Sequence, residues 1–323
     1  MPRIGVLLIN LGTPDAPKTR AVRRYLAEFL SDPRVVEIPR IAWKPILHGI
    51  ILRTRPRKSA EAYNQIWTNE GSPLRVIAHQ QAQALRERLP DVSVHYAMRY
   101  GNPGIAAALD RMTEEGCTRI LAAPLYPQYC AATTATANDA VFAALARMRV
   151  QPALRTLPPY YDDPLYIDAL KLNLSRQLAT LPFEPEKLLL SFHGMPQRTL
   201  ELGDPYHCHC QKTARLLSEA LGRDVDVAFQ SRFGRAKWLE PATDATLDAY
   251  PRAGIKRIAV ATPGFSADCL ETLEELGIRG RETFLSAGGS DFALLDCLND
   301  SLEGMDMLEA LIRRELEGWA SAA

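Results

Sequence analysis

The sequence lacks several features, and each absence removes a class of function. Its 38 basic residues balance its 38 acidic residues, so no overall charge attracts a polyanion, and no nucleic-acid partner is expected. The G-x-G-x-x-G, P-loop and G-x-S-x-G patterns do not occur, which removes the usual dinucleotide, nucleoside-triphosphate and serine-hydrolase sites. The first residues run directly into an apolar strand pattern, without a signal-peptide core or a transit-like composition, so we expect a cytoplasmic protein.

Cysteine is present in six copies, and their scatter predicts reduced thiols rather than a disulfide framework. The run His207–Cys210 alternates histidine with cysteine. Four adjacent side chains cannot all converge on one ion, so at most two of them could point towards it. A structural metal in this run is therefore the less favoured interpretation.

The sequence does contain a regular alternation of short apolar, β-branched runs with longer helical patterns. This alternation predicts βαβ units around parallel sheets, and hence an α/β fold. The 323 residues leave room for two domains, each with a core of its own. The predicted strands are Ile4–Ile9, Val92–Met98, Arg119–Ala123, Lys187–Phe192, Asp224–Phe229 and Arg257–Ala261.

Three motifs occur twice, in the same order along the chain. Three repeats in one order indicate that the chain consists of two duplicated halves. The pairs are Val6–Pro14 with Leu188–Pro196, Met98–Gly101 with Ser231–Gly234, and Arg119–Tyr126 with Arg257–Phe265.

The duplication predicts two similar halves that face each other across a cleft. His193 in the second copy stands where the first copy has Leu11, so one wall of the cleft would be reactive and the other apolar. Ligands of such sheets bind beyond the carboxyl ends of the strands, where each repeated motif lies. We predict an N-terminal domain of residues 1–158 with 300–323, and a C-terminal domain of residues 159–299.

The first half carries an extra segment. The interval Gly12–Arg99 is longer than Gly194–Arg232 by 49 positions, 87 against 38, which predicts an insertion over Val35–Gly71. Its apolar flap, Ile41–Leu52, is followed at once by the basic segment Arg53–Lys58. The basic segment is either a solvated loop or a site for ligand carboxylates or anionic lipid.

A final helix is predicted to begin near Ser301, because serine is a favoured N-cap residue. We expect this helix to pack on the first domain. Its apolar positions recur at helical spacing, namely Met305, Leu308, Ile312, Leu316 and Trp319.

His193 is the first candidate for chemistry. It follows an apolar strand and precedes Gly194, at the end of the sheet where sites are common. With an unperturbed pKa of about 6.5, a neutral histidine can act as a base or a metal ligand near physiological pH. The alternative is a histidine that only caps the strand through a hydrogen bond to the backbone.

A group of carboxylates is the second candidate. Asp268, Glu271 and Glu275 are separated by three and four residues, which predicts one stripe on a helix. The alternative is that Asp268 is an N-cap and Glu271 its capping-box partner. Imidazole with carboxylates suits a divalent, iron-like cation, and equally a base with a proton-exit chain.

Aromatic residues cluster around the repeated strand ends. They would suit a large, flat, apolar ligand, although core packing explains such residues equally well. They are Tyr63, Tyr100, Tyr126, Tyr129, Phe233, Trp238 and Phe265.

Over nearly its whole length the chain resembles the ferrochelatase family. The resemblance implies two Rossmann-like domains with parallel sheets and a porphyrin in the cleft between them. It also implies a lyase that inserts Fe2+ into protoporphyrin IX, the last step of haem synthesis. The motifs that carry it are Asn10–Asp15, Phe29–Val36, Ala97–Asn102, Leu125–Tyr129, Ser191–Pro196, Gly203–Tyr206, Phe229–Gly234 and Cys269–Glu275.

The resemblance also implies roles for individual residues. His193 and Glu271 would deliver the metal and remove protons, with Glu275 and Asp268 as a proton or metal relay. Leu11 would lie against the opposite face of the macrocycle. The other porphyrin-binding positions are Arg55, Lys58 and Ser72 for the propionates, and Tyr63, Arg99, Tyr126, Trp238 and Phe265 for the pocket.

Fe2+ and protoporphyrin IX are the expected partners, with no cofactor beyond the substrate metal. A 2Fe-2S cluster is not expected, because no cysteine follows Cys297, whereas some family members hold a cluster in a C-terminal extension. Cys269 stands where animal members have histidine. The alternatives are a chelatase for another metal or tetrapyrrole, such as cobalt or coproporphyrin, and a non-catalytic porphyrin or haem carrier. Residues 41–52 could also contact a membrane surface.

Overall fold

The computed structural model of the protein describes residues 3–234 and 236–319. The chain divides into two compact units. The first comprises Met1–Leu125, Cys130–Pro158 and Leu308–Ala323, and the second comprises Tyr126–Tyr129 and Pro159–Met307.

The first unit is built on a parallel sheet of four strands, in the order β2-β1-β3-β4. The central strand β1 is almost completely buried, because helices cover a parallel sheet on both faces and its inner strands therefore become apolar throughout. The strands are β1 (Arg3–Thr13), β2 (Val92–Gly101), β3 (Cys117–Pro124) and β4 (Ala153–Thr156).

The second unit repeats this plan, with a parallel sheet in the order β6-β5-β7-β8. The two sheets share one strand order, so the duplication predicted from the repeated motifs is confirmed. The edge strands β4 and β8 were not predicted, and each has four residues that are half-buried or exposed. The strands are β5 (Lys187–His193), β6 (Val225–Gln230), β7 (Arg257–Ala261) and β8 (Asp291–Leu294).

Both copies need a glycine at the same place after the central strand. A Cβ atom on Gly12 would lie 1.8 Å from the carbonyl oxygen of Tyr100, and one on Gly194 would lie 2.4 Å from that of Gln230. The backbone of the neighbouring strand therefore excludes any side chain here. This close approach explains why the repeated motif keeps its glycine while the preceding residue differs.

The helices of the first unit include the predicted insertion. The insertion is helical: its apolar flap forms a short helix and a π-helical turn, and the basic segment lies on a helix rather than in a loop. The elements are α1 (Thr19–Phe29), α2 (Arg40–Ile46), the π-helical turn Leu47–Ile51, α3 (Leu52–Ile66), α4 (Pro73–Arg88), α5 (Ile105–Glu114), the π-helical turn Ala131–Ala135 and α6 (Thr136–Leu145).

A core cluster of the second unit joins its sheet to part of its helices and contains Leu189, Val260 and Phe284. Local signals fix some of their ends: α7 begins after Asp163, whose carboxylate accepts the backbone N–H of Leu165 at 3.1 Å. The elements are α7 (Pro164–Ala179), α8 (Gln197–Glu201), α9 (Tyr206–Leu221), α10 (Thr243–Arg252), α11 (Leu270–Leu273), the π-helical turn Glu275–Gly280 and α12 (Arg281–Ser286).

The last helix, α13 (Leu302–Leu316), begins in the second unit and ends in the first. The predicted cap is confirmed, because the Ser301 hydroxyl accepts the backbone N–H of Gly304 at 3.1 Å. Trp319 lies beyond the end of the helix, where the Arg155 guanidinium stacks on its ring at 4.2 Å. In the part of the chain that the structure describes, no helix combines the length and apolar character that a membrane span requires.

Candidate active site

His193 is the last residue of β5 and pairs in register with Gln230 at the end of β6. Its Nδ1 atom lies 2.7 Å from the carbonyl oxygen of Gly194. A carbonyl oxygen can only accept a hydrogen bond, so Nδ1 carries the proton in the neutral ring. The lone pair is then on Nε2, which makes this atom the one that can accept a proton or bind a metal.

Glu275 is anchored to the end of β6 by Ser231. Its carboxylate accepts the Ser231 backbone N–H at 2.7 Å and the Ser231 hydroxyl at 2.6 Å. Burial raises the pKa of Glu275, and the negative charge of Glu271 adds to this rise, while the Ser231 hydrogen bond and the charge of His193 oppose it. His193 pairs in register with Gln230, which binds the Glu271 backbone, and the next residue, Ser231, binds Glu275. The ends of β5 and β6 thus bring together His193, Glu271 and Glu275, which we call the acid–histidine cluster.

Glu271 lies on the short helix α11 and is held from the β6 side. Its backbone carbonyl accepts the Gln230 side-chain amide at 2.8 Å, and the Gln230 oxygen accepts the Ser191 hydroxyl at 2.7 Å. Burial raises the pKa of the Cys269 thiol, and a hydrogen bond to Glu271 raises it further. Cys269 thus remains a protonated donor towards the Glu271 carboxylate.

Asp268 does not share a helical stripe with the cluster, so that prediction is wrong. The N-cap of α11 is Cys269, with Thr272 as its capping-box partner. Each lies one residue after the position given by the alternative interpretation, in which Asp268 was the N-cap and Glu271 its partner. Asp268 therefore precedes the helix and is buried, with 4% of its surface exposed. The backbone also changes to a π-helical turn at Glu275, which breaks the spacing on which the stripe depended.

Trp238 lies against the loop that follows His193. Its backbone bridges to Pro196, and a Cβ atom on Gly194 would lie 3.3 Å from the edge of the indole ring. The indole N–H donates to the carbonyl of Phe233 at 3.1 Å, and the two rings are 5.4 Å apart. Trp238 therefore packs on the loop after His193, and the exposed Phe233 ring packs on Trp238.

Several residues that shape the cluster were not singled out from the sequence. Gln230 and Ser231 tie the cluster to β6. Arg279 donates to both carboxylate oxygens of the buried Glu274 at 2.9 and 3.1 Å, and its Nη2 atom lies 4.0 Å from Glu275. The only signal in the sequence was that Gln230 and Ser231 fall inside a motif that carries the family resemblance.

In the first unit, Arg99 is bound within a polar network. Its guanidinium contacts Asp32 at 2.5 Å and donates to the carbonyl of Thr136 at 2.8 Å. Burial raises the pKa of Asp32, but hydrogen bonds from Thr136, the Arg34 backbone and Tyr100, with the charge of Arg99, outweigh it and lower the pKa overall. Asp32 is therefore an ionised hub that fixes Arg99.

The other predicted porphyrin-binding residues have different exposures. Arg55 and Lys58 are exposed on α3, whereas Ser72 is buried and accepts the Thr13 hydroxyl at 2.8 Å. The remaining positions are Leu11 and Phe265, both half-buried, and Tyr63 and Tyr126, both buried.

The side chains of the His207–Cys210 run point in different directions. His207 stacks on Phe229, and His209 stacks on Tyr161 with ring centres 3.5 Å apart. Cys208 is exposed and Cys210 is buried. Over residues 3–234 and 236–319, no group of three or more His, Cys, Asp or Glu side chains is arranged to hold a metal ion.

Comparison with known proteins identifies relatives over almost the whole chain. A family model described as Ferrochelatase matches residues 3–316. A curated ferrochelatase of Rhizobium meliloti is 56% identical over 325 residues, covering 98% of this chain and 96% of that protein. One of Methylibium petroleiphilum is 56% identical over 324 residues, covering 98% and 89%.

Among solved structures, the sirohydrochlorin chelatase SirB from Bacillus subtilis subspecies spizizenii, in complex with cobalt, aligns with a TM-score of 0.55 and 12% identity. The alignment covers 98% of this chain and 97% of that one. At this identity the likeness concerns the fold alone. It agrees with two parallel α/β sheets in one chain.

Proposed function

This chain belongs to the ferrochelatase family, and we propose that it is a lyase of haem biosynthesis that inserts Fe2+ into protoporphyrin IX. The reaction replaces two pyrrole N–H protons with one metal ion and releases both protons. The site must therefore accept protons and admit a dication at one place. We also propose a cytoplasmic location, which agrees with six cysteines that form no disulfide.

The acid–histidine cluster is the observation that carries this proposal. The Nδ1 atom of His193 is committed to the Gly194 carbonyl, so Nε2 is the atom that accepts a pyrrole proton. Glu271 and Glu275 add negative charge near the imidazole, which favours an incoming dication. In this account His193 and Glu271 contact the metal or the leaving protons.

We propose that Glu275 accepts the proton after His193 releases it. Burial raises the pKa of this carboxylate, so it binds a proton more readily than an exposed glutamate does. Ser231 holds both of its oxygens in place. A proton leaving His193 therefore meets a fixed acceptor before it reaches solvent.

The porphyrin ring needs apolar contacts and cations for its propionates. Trp238 and Phe233 offer flat surfaces beside the histidine loop, and stacking on such rings favours a planar ligand. Arg55 and Lys58 are exposed on α3, where they can pair with carboxylates. We assign Leu11, Tyr63, Ser72, Arg99, Tyr126 and Phe265 to porphyrin binding from the family resemblance, with Arg99 held in place by Asp32.

We further propose that the insertion contacts a membrane surface. Ile41 and Ile50 expose 88% and 58% of their surfaces, in a segment that also carries Arg40 and Lys44. Apolar side chains beside cations favour binding at an anionic lipid surface. Such a contact would bring the enzyme to the membrane without a spanning helix.

Anaerobic insertion assays test the proposed function. The purified chain is mixed with protoporphyrin IX and Fe2+, and haem formation is followed by absorbance, with coproporphyrin and Co2+ as competing substrates. We expect turnover with protoporphyrin and Fe2+. Faster turnover with coproporphyrin or Co2+ would reassign the substrate, and tight porphyrin binding without turnover would identify a carrier instead.

A further inference from the structure

We propose that Asp268 and Asn299 are positioning residues that hold Glu271 in place, and that Asp268 is not part of the proton or metal relay. This inference rests on the proposed function, because Glu271 acts on the metal or on the leaving protons. It differs from the relay role that the family resemblance implied for Asp268. The hydrogen bonds around Asp268 carry it.

Both oxygens of the Asp268 carboxylate are occupied. Oδ1 accepts the Thr272 hydroxyl at 2.8 Å. Oδ2 accepts the Asn299 side-chain amide at 2.7 Å and the Cys297 backbone N–H at 3.2 Å. A carboxylate with three donors and 4% exposure is satisfied as a buried acceptor. Asp268 is thus almost closed to solvent, whereas the Glu275 side chain, which Ser231 also binds, keeps 21% of its surface exposed.

Asn299 binds Asp268 in both directions. Its side-chain oxygen accepts the Asp268 backbone N–H at 2.8 Å, while its amide donates to the Asp268 carboxylate. Its backbone has φ of 50°, a left-handed conformation that asparagine tolerates better than most residues. The Asn299 backbone N–H also donates to the carbonyl of Ser266 at 3.1 Å. Residues 266–268 are therefore held to residues 297–299 by several hydrogen bonds, and we call this contact the clamp.

The clamp reaches Glu271 through Thr272. The Thr272 hydroxyl donates to Asp268 and accepts the Cys269 backbone N–H at 3.0 Å. Glu271 thus lies between two fixed residues, Cys269 at the N-cap of α11 and Thr272 within the helix. From the other side, Gln230 holds its carbonyl at 2.8 Å. The clamp and Gln230 together fix the backbone on both sides of Glu271, and with it the point from which the side chain extends.

Three variants separate positioning from relay. Asn299→Gly removes both side-chain hydrogen bonds to Asp268, and glycine adopts the left-handed backbone without strain. Asp268→Asn removes the negative charge but keeps the shape of the side chain. The third variant combines both changes. Positioning predicts that each single change lowers kcat by about 10- to 100-fold, as loss of supporting hydrogen bonds around a metal ligand does. Porphyrin affinity stays within about twofold, and the double variant is no worse than the worse single one, since the two residues act as a unit.

A relay role predicts the opposite pattern. Asp268→Asn would then abolish turnover while Asn299→Gly leaves kcat near the native value, and this result would overturn the proposal. Tyr250→Phe is the matched control, because it removes a buried hydroxyl's bond to Asp226 in the same unit, away from Glu271. If a general loss of folding were the cause, porphyrin binding and thermal stability would fall together with kcat.

Hydrogen exchange of the backbone amides at 269–275 gives a readout that does not depend on activity. We expect Asn299→Gly and Asp268→Asn to speed exchange in this segment by about tenfold, while β5 keeps its protection. Unchanged exchange in both variants would refute the clamp. Failure of the native chain to insert metal would instead refute the proposed function, and the exchange result would still decide whether Asp268 and Asn299 fix α11.

Discussion

The carboxylate of Glu275 accepts two hydrogen bonds from Ser231, one from the backbone at 2.7 Å and one from the hydroxyl at 2.6 Å. Ser231 itself has φ of 65°, a left-handed conformation that is uncommon for serine. The unusual backbone points the N–H and the hydroxyl at the same carboxylate. Strained residues of this kind are concentrated at functional sites.

Ser231→Ala should therefore lower the rate of metal insertion by about tenfold, since a hydrogen bond to a charged group is worth about 1.5–3 kcal/mol. The hydroxyl lowers the pKa of Glu275, so its loss leaves the carboxylate protonated over a wider pH range. Steady-state kinetics would measure the effect. Ser231→Gly is the control: it lacks the hydroxyl but relaxes the backbone, and a native rate in either variant would contradict the role of the hydroxyl.

Glu275→Gln should change the pH dependence of stability. The folded-state pKa of Glu275 lies above its ordinary value of 4.5, so its contribution to stability is fully present below that pH and is lost as pH rises through the folded pKa. The free energy of unfolding of the variant should therefore increase relative to that of the native chain as the pH rises above 4.5. Urea unfolding at several pH values tests this, and a difference independent of pH would contradict it.

Asp32→Asn should destabilise the first unit by about 3 kcal/mol at pH 7, because Arg99 loses its buried partner. The pKa of Asp32 lies below 3.8, so the stabilisation is present above pH 3.8 and is lost as pH falls through the folded pKa. The difference from the native chain should shrink in acid. Asp248→Asn breaks an exposed pair with Arg252 and should cost less than about 1 kcal/mol.

The double change Ile41→Asp with Ile50→Asp should weaken vesicle binding. Both side chains are exposed, so folding should be unaffected while apolar contact with lipid is lost. Sedimentation with phosphatidylglycerol vesicles should show at least about a tenfold loss of binding. Val150→Asp is a matched control at a site that is 82% exposed outside the insertion. Equal binding of native and double variant would exclude this surface as the lipid contact.

The central strands and the repeat could be predicted because their signals are local. Buried strands such as β1 and β5 are continuous apolar runs, and the glycines after them are required by the neighbouring backbone. The edge strands β4 and β8 were missed because four-residue strands with partly exposed faces leave no apolar run.

The surroundings of the candidate site could be predicted only in part. His193, Glu271 and Glu275 were named from position and spacing, and hydrogen bonds at the end of β6 place the two glutamates beside the strand end that carries His193. Asp268 was misplaced because α11 has only four residues before the backbone becomes a π-helical turn, a change that sequence periodicity does not reveal. The Ser231 contact joins residues 44 positions apart, and only folding brings such partners together.

The most direct test is His193→Ala, assayed for anaerobic Fe2+ insertion together with protoporphyrin binding measured by fluorescence. Our account predicts that turnover falls at least about 100-fold, as loss of a general base usually does, that porphyrin still binds, and that added imidazole restores part of the rate. Native turnover in the variant would contradict the assignment of His193 as the proton acceptor.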